Sequence, residues 1–288
     1  MRLTGKCAIV TGASQGLGAA IAERFVEEGA SLLICARSAD AINSVAEKLS
    51  AKASSGQQIA ACTTDVADAS QVDSLVKRAL DLFGRIDILV NNAGIYGPMG
   101  LTHEVDWNEW VDAISINLLG VVYACRAVTP IMIAQDSGRI VNISGGGATN
   151  PLPRLTSYAA SKAAVVRFSE SLALELKEHG ITVNTVAPGA LATRMMRQVL
   201  EAGPEKVGAA FHERMGKLHR EGGTPLSAGA DLTVYLASDE SAGITGRLIS
   251  AVWDPWPTLH IHAAELESAD IYTLRRIVPA DRGRSFDD

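Results

Sequence analysis

Residues 6–18, Lys-Cys-Ala-Ile-Val-Thr-Gly-Ala-Ser-Gln-Gly-Leu-Gly, are the stretch that decides the fold. Residues 6–10 are apolar and partly β-branched, like a strand buried on both faces, and residues 16–28 continue in a helical pattern. Glycines between a strand and a helix let the backbone turn sharply and approach a pyrophosphate, and the first N–H groups of the helix attract the anion. The alternative is a structural turn, in which the glycines allow the backbone to bend and bind no ligand. The stretch predicts a dinucleotide-binding turn formed by Gly12, Ser14, Gln15, Gly16, Leu17 and Gly18.

The same alternation of short apolar runs and longer helical patterns continues along the chain. It predicts further strands at residues 31–35, 58–64, 86–90, 139–143, 182–186 and 247–252, and helices at residues 39–52, 70–83, 107–134, 158–179 and 226–237. These strands are apolar throughout, which is typical of a parallel sheet with helices on both faces. No repeat or linker divides the pattern. We therefore expect an α/β, doubly wound fold with a seven-stranded parallel sheet in a single domain, residues 1–252.

Composition and charge exclude several classes of function. With 47% hydrophobic and 20% charged residues, the chain can bury a substantial core and is not disordered. A formal net charge of −6 argues against a nucleic-acid partner, because binding phosphates requires clustered Lys and Arg. The N-terminus has no signal-like apolar segment, and we see no apolar run of about 18 residues that would indicate a membrane span. Four cysteines without C-x-x-C spacing and six scattered histidines predict a cytoplasmic protein without a metal site.

Several polar residues mark a second candidate site. Tyr158 and Lys162 are four residues apart, so a helix places them on one face, where the ammonium would lower the phenol pKa from about 10 and make it a usable acid–base. Ser144 ends one predicted strand and the segment 91–94, Asn-Asn-Ala-Gly, ends another. Ligands of parallel sheets bind beyond the carboxyl ends of the strands, so we expect these groups in one crevice. Asn117 is a polar residue within an apolar helical stretch, and a buried structural amide is the alternative for it.

The end of the second predicted strand bears on the choice of dinucleotide. An acidic residue about 20 positions beyond the glycine turn would bind the adenosine ribose hydroxyls and repel a 2′-phosphate. The chain has Arg37 there instead. A guanidinium can hold a 2′-phosphate through two hydrogen bonds, which favours NADP over NAD. An arginine that stacks on adenine would be compatible with either cofactor, so NAD stays open.

Together with Asp65 and the motif Pro188-Gly189-x-x-x-Thr193, these motifs resemble the short-chain dehydrogenase/reductase family, in its common single-domain Rossmann-type form. The resemblance extends from about residue 3 to residue 252, with every motif in order. It implies a catalytic tetrad of Asn117, Ser144, Tyr158 and Lys162. It also implies cofactor contacts at Asp65, Val66, Asn91, Ala93, Gly94, Tyr158, Lys162, Pro188, Gly189, Leu191 and Thr193.

The resemblance implies an NAD(P)-dependent oxidoreductase that moves a hydride between nicotinamide and a carbonyl or secondary alcohol. Ser144 would bind the substrate oxygen, Tyr158 would donate the proton, Lys162 would hold the nicotinamide ribose, and Asn117 would position a water. Residues 195–224 would cover the substrate, whose identity their mixed charges leave open. A homotetramer or dimer is also implied. The alternatives are a non-catalytic dinucleotide-binding sensor or scaffold and, on different glycine spacing, a sugar-nucleotide epimerase or dehydratase.

The chain departs from the family after its last predicted strand. Relatives usually end that strand with Val-Asp-Gly-Gly and stop soon afterwards, whereas this chain continues with an extension, residues 253–288. Trp253, Pro255, Trp256 and Pro257 indicate a rigid segment that packs through its aromatic rings. We expect the extension to pack on the domain or on a neighbouring subunit, and a role in the substrate site is the alternative.

Overall fold

The computed structural model describes residues 1–286. Seven strands form one sheet in the order β3-β2-β1-β4-β5-β6-β7, and every neighbouring pair is parallel. The strands are β1 (Cys7–Thr11), β2 (Ser31–Ala36), β3 (Ile59–Thr63), β4 (Ile88–Asn91), β5 (Gly138–Ile143), β6 (Ile181–Ala187) and β7 (Leu248–Ser250). The predicted doubly wound parallel sheet is confirmed.

Helices cover both faces of this sheet. They are α1 (Gly16–Glu27), α2 (Ala39–Ser50), α3 (Ala69–Phe83), α4 (Trp107–Ile114), α5 (Gly120–Ala134), α6 (Thr156–Glu175), α7 (Arg194–Val207), α8 (Ala209–Arg220), α9 (Leu226–Ala237) and α10 (Ala263–Ser268). One core lies between the sheet and α1, α2 and α9, and a second lies between the sheet and α3, α5 and α6. Successive strand residues point to opposite faces. Val10 therefore enters the first core and Ile9 the second, which explains why the strands are apolar throughout.

The predicted helix at residues 107–134 is interrupted in the structure. A π-helical turn, Ser115–Leu119, separates α4 from α5 and contains Asn117. By length and composition alone the run Trp107–Ala134 is apolar enough to cross a membrane. In this fold α5 packs on α3, and α4 and the π-helical turn pack on α6. The apolar composition is thus that of helices that cover a sheet.

Residues 194–221, named the lid below, fold into α7 and α8. At the base of the lid, Leu191 forms a bridge with Thr224, whose N–H donates to the carbonyl of Ala190 at 2.8 Å. Four lid side chains form a small core with Tyr96 and Met99 of the body: Met196, Val199, Val207 and Met215. The polar segment that the sequence indicates is therefore amphipathic, with its apolar side turned towards the body.

The C-terminal extension lies against the same chain. The buried guanidinium of Arg247 donates to the carbonyls of Leu266, Ala269 and Ile271. Leu248 of β7 donates its N–H to the carbonyl of Tyr272 at 2.8 Å. These bonds hold the extension along the outer edge of β7. Contacts with a neighbouring subunit stay a prediction, and residues 287–288 of the predicted extension lie outside the described residues.

The two tryptophans of the extension differ. The ring of Trp256 lies 5.6 Å from that of the buried Tyr235, and its indole N–H donates to the carbonyl of Ala251. Trp253, by contrast, is 84% exposed. Trp256 therefore packs on the body, whereas Trp253 does not pack on this chain, and its expected contact with a neighbouring subunit stays a prediction.

We expect Trp256→Ala to lower the free energy of unfolding by about 2 kcal/mol, because it removes a large, half-buried ring from the edge of a core. Trp253→Ala is the matched control and should leave it within about 0.5 kcal/mol of the wild type. Urea denaturation of both variants measures the difference. Equal losses in the two variants would contradict the assignment of Trp256 as the anchor.

Candidate active site

The glycine turn after β1 packs directly on the end of β4. Asn92 donates from its side-chain amide to the carbonyls of Thr11 and Gly12, at 2.9 and 3.1 Å. A Cβ atom on Gly12 would lie 2.7 Å from Cα of Ala93, and one on Gly18 would lie 2.4 Å from the Asn92 amide nitrogen. Two of the three glycines are therefore required by close packing within the protein.

The start of α1 leaves room for an anion. Its N-cap, Gln15, makes no side-chain capping hydrogen bond, so the Gln15 side chain does not use the first N–H groups of the helix. Gly16 has a left-handed backbone, φ 57°, and a Cβ there would lie 3.5 Å from the Thr193 side chain. The N–H groups and positive end of such a helix are suited to a phosphate. This end of the turn fits the pyrophosphate that the sequence predicts.

The groups expected around the adenosine lie at the ends of β2 and β3. Arg37 is exposed just beyond β2, beside Ser38, the N-cap of α2. The Asp65 carboxylate accepts the N–H of Ala67 at 3.0 Å, and the neighbouring Val66 is buried. These residues are near the same edge of the sheet as the glycine turn, since β1, β2 and β3 are adjacent and parallel.

The segment after β6 borders the other side of the glycine turn. Pro188 packs near Leu17, since both lie close to the Cβ position of Gly229. Gly189 has a φ of 87°, and a Cβ there would lie 2.6 Å from the Thr224 hydroxyl. Leu191 and Thr193 follow, and Thr193 is the N-cap of α7. The segment thus joins the turn to the base of the lid.

Asn117 lies in the π-helical turn, and hydrogen bonds to Ile95 and Ser161 fix its side chain. Its Oδ1 accepts the N–H of Ile95 at 2.8 Å, and its Nδ2 donates to the carbonyl of Ile95 and to the Ser161 hydroxyl. A Cβ on Gly94 would lie 3.1 Å from Asn117 Oδ1 and 3.5 Å from Lys162 Nζ. The absence of a side chain at Gly94 therefore keeps a space beside both groups.

Tyr158 and Ser144 approach the same loop. A Cβ on Gly145 would lie 2.2 Å from the Tyr158 hydroxyl oxygen, so that hydroxyl lies directly against the backbone after Ser144. Ser144 is buried, and its hydroxyl donates to the carbonyl of Lys162 at 3.4 Å. The structure therefore brings Asn117, Ser144, Tyr158 and Lys162 together at the carboxyl ends of β4 and β5.

The pKa of Tyr158 differs from the sequence expectation. Burial of the phenol, with a smaller contribution from Tyr96, raises the pKa of Tyr158 above its ordinary value. The Lys162 ammonium lies 5.9 Å from the Tyr158 ring centroid and donates to the carbonyl of Ile143 at 2.8 Å. Burial lowers the pKa of Lys162 to about 8. The expected lowering of the phenol pKa is therefore wrong for this arrangement, because desolvation outweighs the distant ammonium.

Several residues of the site were missed by sequence reasoning. The ring of Tyr96 packs edge-on against that of Tyr158, with centroids 4.8 Å apart. Only the tertiary fold creates this contact, so no local pattern indicates it. Asn142 accepts from the Asn91 amide at 2.8 Å and donates to Ser169. A polar residue in the middle of the apolar strand β5 was a usable signal for this network.

Metal coordination finds no support in the described residues. Within residues 1–286, no group of three or more His, Cys, Asp or Glu side chains is placed to hold a metal ion. The buried cysteines Cys35 and Cys125 have pKa values raised by burial to about 12, so they stay protonated and unreactive at neutral pH.

A parallel sheet of this order, with a glycine turn between its first strand and helix, is typical of a doubly wound dinucleotide-binding fold. The family model described as short chain dehydrogenase matches residues 6–203. The chain therefore belongs to the short-chain dehydrogenase/reductase family of NAD(P)-dependent oxidoreductases.

Three known proteins illustrate the similarity. The oxidoreductase UcpA of Escherichia coli is 38% identical over 248 residues, which cover 85% of this chain and 92% of UcpA. The structure of NAD⁺-bound xylitol dehydrogenase has a TM-score of 0.78 at 27% identity, over 87% of this chain and 98% of that one. A variant of actinorhodin polyketide ketoreductase with NADPH has a TM-score of 0.77 at 31% identity, over 85% of this chain and 95% of that one.

We expect Gly145→Ala to reduce turnover of a carbonyl substrate by roughly 10- to 100-fold, because its methyl group must displace the Tyr158 hydroxyl. Gly145 has an extended backbone, φ −172°, so alanine causes no backbone strain there. Gly146→Ala is the matched control, since a Cβ at Gly146 meets nothing within 4 Å. Steady-state kinetics of both variants, with melting temperatures, make the test. Equal activity of the two would show that the hydroxyl position is unimportant.

Proposed function

We propose that this protein transfers a hydride between nicotinamide and a small carbonyl or secondary alcohol substrate, with Tyr158 as the general acid–base. The observation that carries the proposal is the position of the Tyr158 hydroxyl against the backbone beside Ser144, with Lys162 and Asn117 nearby. A substrate oxygen placed between the two hydroxyls would receive a hydrogen bond from Ser144 and a proton from Tyr158.

The chain's own residues fit a dinucleotide. The start of α1 would hold the pyrophosphate, Asp65 and Val66 would lie by the adenine, and the segment 188–193 would border the nicotinamide. Asn91, Ala93 and Gly94 would line the middle of the cofactor. Bound there, the nicotinamide supplies or accepts the hydride at its C4 carbon.

The proton chemistry follows from the two pKa values. A phenol with an ordinary pKa of about 10 is protonated at neutral pH, the form that donates a proton in the reducing direction. Burial raises the pKa of Tyr158 further, which makes it a weaker acid until a positive charge stabilises the phenolate. Lys162, with a pKa of about 8, still carries its charge near pH 7 and would stabilise the phenolate left by that transfer. Asn117 and Gly94 keep a space beside Lys162 through which a water would return the proton.

A non-catalytic dinucleotide-binding sensor or scaffold is the second candidate. Such a protein needs the glycine turn and the start of α1, but it does not need a phenol held against Gly145 or a buried lysine beside it. A buried ammonium such as that of Lys162 costs stability even with one hydrogen bond, and dinucleotide binding alone gives no reason to hold it beside a phenol. The arrangement of Tyr158 and Lys162 therefore favours an enzyme.

The proposal also includes the cofactor, the compartment and the oligomeric state of the enzyme. NADP is the favoured cofactor, because Arg37 is exposed at the end of β2 where a 2′-phosphate would lie. A cytoplasmic homo-oligomer, a tetramer or a dimer, fits the large exposed apolar side chains Trp107 and Leu174, 67% and 77% exposed on this chain.

We expect Tyr158→Phe to lower turnover by at least roughly 100-fold while leaving cofactor binding nearly intact, since Phe keeps the ring and removes only the proton donor. A screen of ketones and alcohols with NADPH and NADH, followed by absorbance, identifies the substrate for this measurement. Cofactor affinity is measured separately by nicotinamide fluorescence. Activity within a few-fold of the wild type would remove Tyr158 from the acid–base role and favour the scaffold.

We expect Arg37→Ala to weaken NADPH binding by roughly 10-fold or more while hardly changing NADH binding, because only NADPH presents a phosphate to the guanidinium. Arg78→Ala, which removes another exposed arginine on α3, is the control for net charge. Fluorescence titrations of the wild type and the two variants with NADPH and NADH, at fixed ionic strength, give six dissociation constants. If wild-type protein binds NADH more tightly than NADPH, the preference for NADP is wrong.

A further inference from the structure

The lid is joined to the body by an apolar contact and by one arginine. Its small core packs on Tyr96 and Met99, and Tyr96 in turn packs on Tyr158. Of the residues before Ser285, the body side chain that hydrogen-bonds to the lid is Arg154. Its Nη1 donates to the carbonyl of Glu205 at 2.7 Å and reaches that of Lys206 at 3.5 Å.

Arg154 occupies an unusual backbone position for a residue with a side chain. Its φ is 69°, in the left-handed region where glycine is favoured. Its own carbonyl accepts the N–H of Gly100 at 2.9 Å. Arg154 therefore connects three segments: the loop after β4, the turn that leads into α6, and the end of α7. The backbone at Gly203, with φ 78°, breaks α7 just before these carbonyls, so Glu205 and Lys206 lie in a short final turn. A guanidinium suits the unpaired carbonyls at the end of such a turn.

These three segments, together with the start of α4, border a groove that reaches Tyr96, the ring that packs on Tyr158. The groove has a volume of about 680 Å³, and its lining includes Tyr96, Met99, Arg154, Gln198, Glu205 and Lys206. Tyr96 connects the groove to the ring of Tyr158, and the end of α7 contributes Ala202, Glu205 and Lys206 to its lining. Arg154 spans from the body side of this groove to the lid side, four residues before Tyr158.

On the basis of the proposed function, we infer that Arg154 is a positioning residue that latches the lid closed over the substrate groove. The lid can move as a unit, because it is bounded by the bridge between Leu191 and Thr224 and by Gly222 and Gly223, which have φ values of 87° and 62°. When the guanidinium releases Glu205 and Lys206, the lid loses these hydrogen bonds and keeps its apolar contact with Tyr96 and Met99. Substrate then binds to a protein that is closed for a smaller fraction of the time.

The test compares Arg154→Ala with Arg197→Ala, which removes an exposed arginine from α7. In the first variant we expect faster amide hydrogen exchange across residues 194–221, a KM for the carbonyl substrate raised about fivefold or more, and a kcat changed less than about twofold. Arg154→Lys keeps one donor and should restore part of both effects. If Arg154→Ala proves unstable, Arg154→Gly removes the guanidinium and relieves the backbone at the same time.

Three results would overturn the latch. The first is unchanged exchange of the lid in the Arg154 variants, which needs no substrate to measure. The second is faster lid exchange with an unchanged KM. The third is an equal change of both quantities in Arg197→Ala. A protein in which Tyr158→Phe leaves turnover intact would contradict the proposed function instead, so the two failures are distinguishable.

Discussion

Where β1 and β4 lie side by side, the turn after β1 is pressed against Asn92 and Ala93 with no room for a side chain at Gly12 or Gly18. This contact fixes the start of α1 relative to the loop after β4. The same loop carries Gly94 and Ile95, whose backbone holds the amide of Asn117. The proposed phosphate end and the proposed catalytic end of the site are thus two sides of one close backbone contact.

The fold was accessible from the sequence because its signals are local. Strands buried on both faces, such as β1, are apolar throughout, and helices carry their own period. The sites at the glycine turn, Ser144, Tyr158 and Lys162 follow from motifs at the ends of these elements. The ends of the elements were predicted less accurately. The helix predicted at residues 158–179 begins at Thr156 and ends at Glu175. A short 3-10 turn follows, and it ends at Gly180, which has a left-handed backbone.

The features of the site that could not be predicted from the sequence depend on tertiary contacts. The π-helical turn around Asn117 has no composition signal, since it is made by packing on α6 and by the bonds to Ile95. The pKa of Tyr158 depends on how deeply the phenol is buried, so the i, i+4 spacing to Lys162 predicted its direction wrongly. Tyr96 and Arg154 lie on separate segments that meet in the folded chain, so no sequence spacing predicts that both border the groove.

The covering of β7 has a consequence for solubility. A strand at the end of a sheet exposes N–H groups that can pair with another chain and start aggregation. In β7 the N–H of Leu248 is bonded to Tyr272, and that of Ser250 is bonded to the carboxylate of Asp254 at 2.6 Å. The extension thus occupies the donors along this edge, and the sheet does not need charged or proline residues within β7 to prevent edge-to-edge association.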